Sequence, residues 1–181
     1  MEPFPFFTIG HSTRTIADFV HLLKVADVRL VADIRTVPRS RTNPQYNKEA
    51  LPEALAEYQV GYTHIAELGG LRGRRKEAPS GLNGFWENQS FHNYADYALT
   101  GPFQAGLDQL IAIGRERRTA MMCSEAVWWR CHRRIVADYL IARVETVFHL
   151  MGDDRIEQAR LNEGAEPQAD GTVLYPFRLK P

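Results

Sequence analysis

The sequence predicts a single α/β domain, a mostly parallel sheet of about five strands with helices on both faces. Two observations carry this. Apolar runs of strand length recur at Phe4–Ile9, Val28–Ile34, Tyr62–Ala66, Thr119–Met122 and Thr146–Leu150. The longer segments between them place apolar residues at helical spacing. The resulting order β-α-β-α-β-α-α-β-α-β is that of parallel strands joined by crossover helices. A chain of 181 residues, 44% of them hydrophobic, suffices for one core.

The first run is broken by Pro5 and ends at Gly10. Ile16, Phe19, Val20 and Leu23 then share a helical face, with Ser12 or Thr13 as the expected cap. The segment Arg35–Asn47 has prolines and no periodicity, so it is a long loop leaving a strand end. Leu51, Ala54, Leu55 and Tyr58 mark the next helix. Pro52 argues for a kink or a start later than Asn47, and Gly61 is the expected stop. Leu71–Asn88, rich in Gly, Arg and Lys, is expected to be mobile, as a lid would be. Ser90 is the expected cap of a helix over Phe91–Leu99. Pro102 opens a helix carrying Phe103, Leu107, Leu110 and Ile111. A last helix starts near Cys131, with Ile135, Val136, Tyr139 and Leu140 inward. The core is expected over residues 4–150, and residues 151–181 form an extension. There Val173, Tyr175 and Phe177 alternate, which suggests an added edge strand.

Charge narrows the partners. The 22 basic and 22 acidic residues cancel, so any anion site is local. The 2 cysteines do not make a disulfide framework and fit a reducing compartment. The opening MEPFPFFTIGHS has no basic region and no long apolar core, unlike a signal peptide. No apolar run approaches membrane-spanning length. A cytoplasmic protein without a membrane partner is expected.

Parallel strands present their carboxyl ends on one side, where open α/β sheets bind ligands. The polar clusters His11-Ser12, Asp33-x-Arg35, Glu67-Leu68-Gly69-Gly70 and Cys123-x-Glu125 all follow such ends, so they are expected to converge. These segments also carry a resemblance. Thr8-Ile9-Gly10-His11-Ser12, Asp33-Ile34-Arg35, Pro38-Arg39-Ser40, Asn43-Pro44-Gln45-Tyr46, Leu68-Gly69-Gly70, Tyr94-Ala95-Asp96-Tyr97, and Cys123-x-Glu125 followed by Cys131-His132-Arg133 resemble the motifs of the domain of unknown function 488 family. That resemblance implies a compact α/β domain in a bacterial or archaeal cytoplasm. It supplies no activity.

Function is therefore read from the residues. Arg35 and Arg39 leave the second strand, and Arg133 sits in the first turn of a helix. Guanidinium groups grip phosphate or carboxylate bidentately. His132, Arg133 and Arg134 at a helix start oppose its dipole, a cost that a bound anion offsets. Ser12, Ser40, Asn43, Tyr46, Gly69, Gly70, Arg72 and Cys123 complete the expected binding set. The competing structural reading pairs the arginines with Asp33, Glu67 and Glu125.

Asp33 or Glu125 with His11 or His132 offers acid–base chemistry, since clustered carboxylates raise one another's pKa. Cys131, at a helix start beside basic groups, is the candidate nucleophile, although a free cysteine is commonly just a small buried apolar residue. Cys123, Cys131, His132 and His11 could be assembled as metal ligands, but no Cys-x-x-Cys or His-x-x-x-His spacing supports it, and neither metal nor cofactor is expected. Trp128 and Trp129, with Phe85 and Trp86, are candidates for stacking on a base. The leading expectation is an enzyme acting by acid–base chemistry on a small phosphorylated or anionic substrate, a nucleotide or a nucleic acid. The alternatives are a non-catalytic module binding such a ligand and a cysteine-dependent enzyme.

Overall fold

A computed structural model describes residues 1–77, 81–179 and 181. Its main sheet contains β1 (Phe6–Gly10), β2 (Leu30–Asp33), β3 (Gly61–His64), β4 (Thr119–Cys123), β5 (Val147–Leu150) and β6 (Ile156–Gln158). They lie in the order β3-β2-β4-β1-β5-β6. All neighbours from β3 to β5 are parallel, and β6 returns antiparallel to β5. The helices are α1 (Ile16–Val25), α2 (Leu51–Ala56), α3 (Gln89–Tyr97), α4 (Gly101–Glu116) and α5 (Arg133–Ala142). The chain is thus a single α/β domain.

Strand periodicity divides the core into two layers. Phe7, Ile9, Val31, Ala120 and Met122 face α1 and α2, packing on Phe19, Val20, Leu23, Leu51 and Leu55. Their neighbours Phe6, Ala32 and Met121 face the other way, onto Phe103, Leu107, Ile135, Val136 and Tyr139 of α4 and α5. Burial of such side chains stabilises the fold by roughly 1.5–3 kcal/mol each. The layers fix where the site lies. The helix that follows β1 goes to one face, and the helix that follows β4 goes to the other. Because β1 and β4 are neighbours, the topological switch point, the place at which doubly wound sheets bind ligands, lies between their carboxyl ends. Gly10 is required there, since a side chain on it would overlap the Glu125 backbone.

Several local expectations are corrected. Thr15, rather than Ser12 or Thr13, caps α1 by accepting from the Asp18 N–H. Ser12 instead turns the chain at φ 47°. Helix α2 begins at Leu51 with Pro52 in its first turn, as the later start requires. The residue reversing the chain after α2 is Gln59, at φ 61°, and Gly61 already belongs to β3. Asn88 rather than Ser90 caps α3, accepting from the N–H groups of Ser90 and Phe91.

The added edge strand is Ile156–Gln158, not the 172–179 stretch. In that stretch β8 (Val173–Leu174) pairs with β7 (Glu166–Pro167) in a separate two-stranded sheet. Val173 and Tyr175 are buried in the α4–α5 layer. The expected lid lies partly outside the described residues. Its flanks are anchored: Arg72 donates to the carbonyls of Gly69 and Ala66, while Asn83 donates to Asp96 and accepts from the Tyr175 N–H. No helix among the described residues is long and apolar enough to cross a membrane.

Candidate functional site

Two clusters stand at the carboxyl ends of the strands. The first belongs to β2 and the loop after it. Asp33 is fully buried. Its Oδ1 accepts from Arg35 N at 3.1 Å and Nε at 2.9 Å, and its Oδ2 accepts from Arg35 Nη2 at 2.7 Å and Tyr62 Oη at 2.5 Å. Arg35 Nη2 also donates to the Tyr46 carbonyl. His11 stacks on the Tyr46 ring with centroids 4.2 Å apart. Its Nδ1 lies 2.9 Å from the Ser12 carbonyl, which only accepts, so Nδ1 carries the proton. The bare Nε2 then accepts from Arg35 Nη1 at 3.4 Å. Burial, the largest cause, and Arg35 lower the His11 pKa and favour this neutral ring. Carboxylate, guanidinium and imidazole are thus committed to one another.

The second cluster joins the end of β4 to the start of α5. The structure joins Cys123 and Cys131 Sγ to Sγ as a disulfide. This corrects the expectation of separate buried thiols: the loop between them turns back at the switch point and brings its two ends together. His132 Nε2 lies 2.8 Å from the Ile34 carbonyl and must donate to it, which leaves Nδ1 as a lone pair 3.5 Å from Cys131 Sγ. Burial lowers the His132 pKa to about 4, so the ring is neutral. Gly70 makes room for that ring, because a side chain there would overlap it; one on Gly69 would overlap Thr36. The donor atoms of Cys123, Cys131 and His132 all lie within 4.8 Å of one another, a potential ligand set that sequence spacing does not reveal.

Arg133 follows at the first position of α5, 1% exposed. Its Nη2 reaches only the Ala126 carbonyl, at 3.4 Å, and its buried Nε and Nη1 have no partner among the described residues. Burial pulls its pKa down to about 9, opposed by Glu125 and reinforced by Arg14. Glu125 is exposed and Arg14 half-buried, so charged groups of both signs border this guanidinium. Arg14 Nε is held by the Gly10 carbonyl at 3.1 Å. On the neighbouring strand, His149 stacks on Trp128 with centroids 4.5 Å apart and planes at 4°. Its Nδ1 meets Thr8 Oγ1 at 2.6 Å, and burial lowers its pKa to about 3.

The structure therefore brings His11, Asp33, Arg35 and Tyr46 into one network, and Cys123, Cys131, His132 and Gly70 into another. Arg133 and Glu125 stand beside the second, and Ser12 approaches it by donating its N–H to the Ser124 carbonyl. Other expected residues serve the architecture. Arg39 pairs with Glu49 at the surface, the Ser40 hydroxyl accepts from the Asn43 N–H, and Arg72 lies over the Tyr97 ring. Arg134 is tied to Asn162 and lies against Trp86. Trp129, 44% exposed, is the indole open to solvent, whereas Trp86 is buried. Sequence reasoning missed Arg14 and His149. Arg14 carried a usable signal, its place just past the end of β1, but His149 sits inside a strand and carried none.

A family model described as Domain of unknown function DUF488 matches residues 15–140. No curated protein and no solved structure matches the chain.

Proposed function

The chain belongs to the DUF488 family, and because that description names no activity, we propose from the geometry that it is an enzyme acting on a phosphorylated or otherwise anionic small molecule, of which a nucleotide is one example. One observation carries the reading: Arg133 is buried at the switch point with its Nε and Nη1 unpartnered. A buried guanidinium lacking hydrogen bonds is costly. An anion relieves that cost through charge-assisted bonds, aided by the positive end of the α5 dipole. Arg14 adds positive charge at the same place. Glu125 is the carboxylate of the expected catalytic set that stays outside the Asp33–Arg35 network, and it is the group assigned to proton transfer.

A second reading, a non-catalytic anion-binding module, is favoured by the commitments of His11 and Asp33, whose polar atoms are occupied within the protein.

The test is thermal-shift titration with phosphate, nucleotides, phosphosugars and short oligonucleotides. An anion at about a hundred times its dissociation constant adds roughly 2.7 kcal/mol of stability. One anion class is expected to stabilise the parent and not Arg133→Met. With that ligand, Glu125→Gln is expected to bind and to lose turnover. Retained turnover removes Glu125 from catalysis, and equal stabilisation of Arg133→Met removes the anion site.

A further inference from the structure

The sulfur pair and His132 have no part in the proposed anion site, yet they form the most concentrated set of soft donors among the described residues. We propose that Cys123, Cys131 and His132 form a binding site for a thiophilic d10 cation, zinc(II) or copper(I), when the two cysteines are reduced.

With the two sulfurs still bonded to each other, the donor atoms lie within 4.8 Å of one another; once reduction frees the sulfurs, a small shift of these side chains lets a central ion reach all three with bonds of about 2.0–2.3 Å. The imidazole is already prepared to ligate. Its Nε2–H is spent on the Ile34 carbonyl and its Nδ1 lone pair points toward the sulfurs. A backbone carbonyl fixing the far nitrogen is how metal-binding histidines are commonly oriented. The Arg133 peptide N–H points at Cys131 Sγ from 3.4 Å, which favours a thiolate there. The Cα atoms of the cysteines are 7.6 Å apart, wider than the roughly 4.4–6.8 Å that disulfides usually span. An ion placed between the sulfurs suits that wider separation. Two thiolates and one imidazole are a soft set that selects zinc or copper(I) over magnesium or calcium. Three protein ligands suit trigonal copper(I), or zinc with one further donor.

The chemistry balances. A dithiol reductant such as dithiothreitol converts the disulfide to two thiols and becomes a cyclic disulfide itself. The thiols then release two protons as they bind the cation.

The full chain is to be reduced with dithiothreitol, desalted without oxygen, and titrated with zinc(II), cobalt(II) as its spectroscopic stand-in, and copper(I). One equivalent of zinc or copper per chain is expected to survive desalting, and cobalt is expected to give a thiolate charge-transfer band. Cys131→Ser, Cys123→Ser and His132→Gln are each expected to weaken binding by about 100-fold or more, given that loss of an outer-shell partner alone costs about 10–100-fold. Arg133→Met is expected to bind the metal as the parent does, which separates this site from the anion site. Two results overturn the proposal: a folded, fully reduced chain that retains neither ion and gives no charge-transfer band, or metal binding unchanged in His132→Gln. The first needs only the parent protein, so it stands even if a variant fails to fold.

Discussion

Two buried arginines, one just after β2 and one at the start of α5, are treated differently by the fold. Arg35 is clamped by Asp33 through two side-chain hydrogen bonds, capped by the Tyr46 carbonyl and read on its remaining nitrogen by His11. Arg133 is more deeply buried, 1% exposed against 6%, yet it has a single long bond to the Ala126 carbonyl. A guanidinium offers five N–H donors, and protein groups engage nearly all of one and little of the other. Similar burial with unequal pairing separates an arginine whose donors the protein satisfies from one whose Nε and Nη1 have no partner among the described residues.

The sharpest way to break this comparison is to remove the partner of Arg35. Asp33→Ala leaves a buried guanidinium without its carboxylate and is expected to cost about 3–5 kcal/mol, read from the urea-unfolding midpoint at constant slope. A loss below about 1 kcal/mol would show that Arg35 is no better satisfied than Arg133.

Acid sharpens it from the other side. His149, whose pKa Arg133 helps to lower, is held near 3 mainly by burial, against 6.5 for a free imidazole. The unfolded chain therefore takes up this proton first as pH falls below about 6.5. The stability contribution is present above 6.5 and is lost as pH drops toward 3. The expected loss is about 2–3 kcal/mol between about pH 7 and 4.5, and His149→Gln is expected to flatten the slope over that range.

The smallest effect has the opposite sign. Without ligand, Arg133→Met removes unsatisfied buried donors and is expected to leave stability unchanged or raise it by about 1–3 kcal/mol. A clear drop in melting temperature would make Arg133 a structural residue like Arg35.

The sheet was legible because its strands, buried on both faces, read as continuous apolar runs. The edge strand escaped because Ile156–Gln158 is exposed throughout and shows no pattern that burial would impose. The stretch that does alternate puts Val173 and Tyr175 into the helical layer instead of the sheet. At the site, convergence followed from strand direction alone. Which groups neutralise one another did not. The sequence offers Arg35 both as a free anion-binding group and as a partner of Asp33; the pairing is what the structure shows, and the bonds from Tyr62 and to Tyr46 that complete it arrive from other parts of the chain. The meeting of Cys123 with Cys131 depends on how the loop between them closes, which no spacing rule encodes.

The position of β1 bears on how the molecule is made. Its two neighbours, β4 and β5, begin at Thr119 and Val147, more than a hundred residues downstream of Phe6. On the ribosome β1 emerges first among the strands and waits for both partners. Phe7 and Ile9 have α1 and α2 to pack on early, but Phe6 faces the layer of α4 and α5 and stays uncovered while most of the domain is translated. Closing so long a loop is entropically slow, so the strand at the switch point is among the last to be locked, and the two clusters at its end are completed only when the fold is.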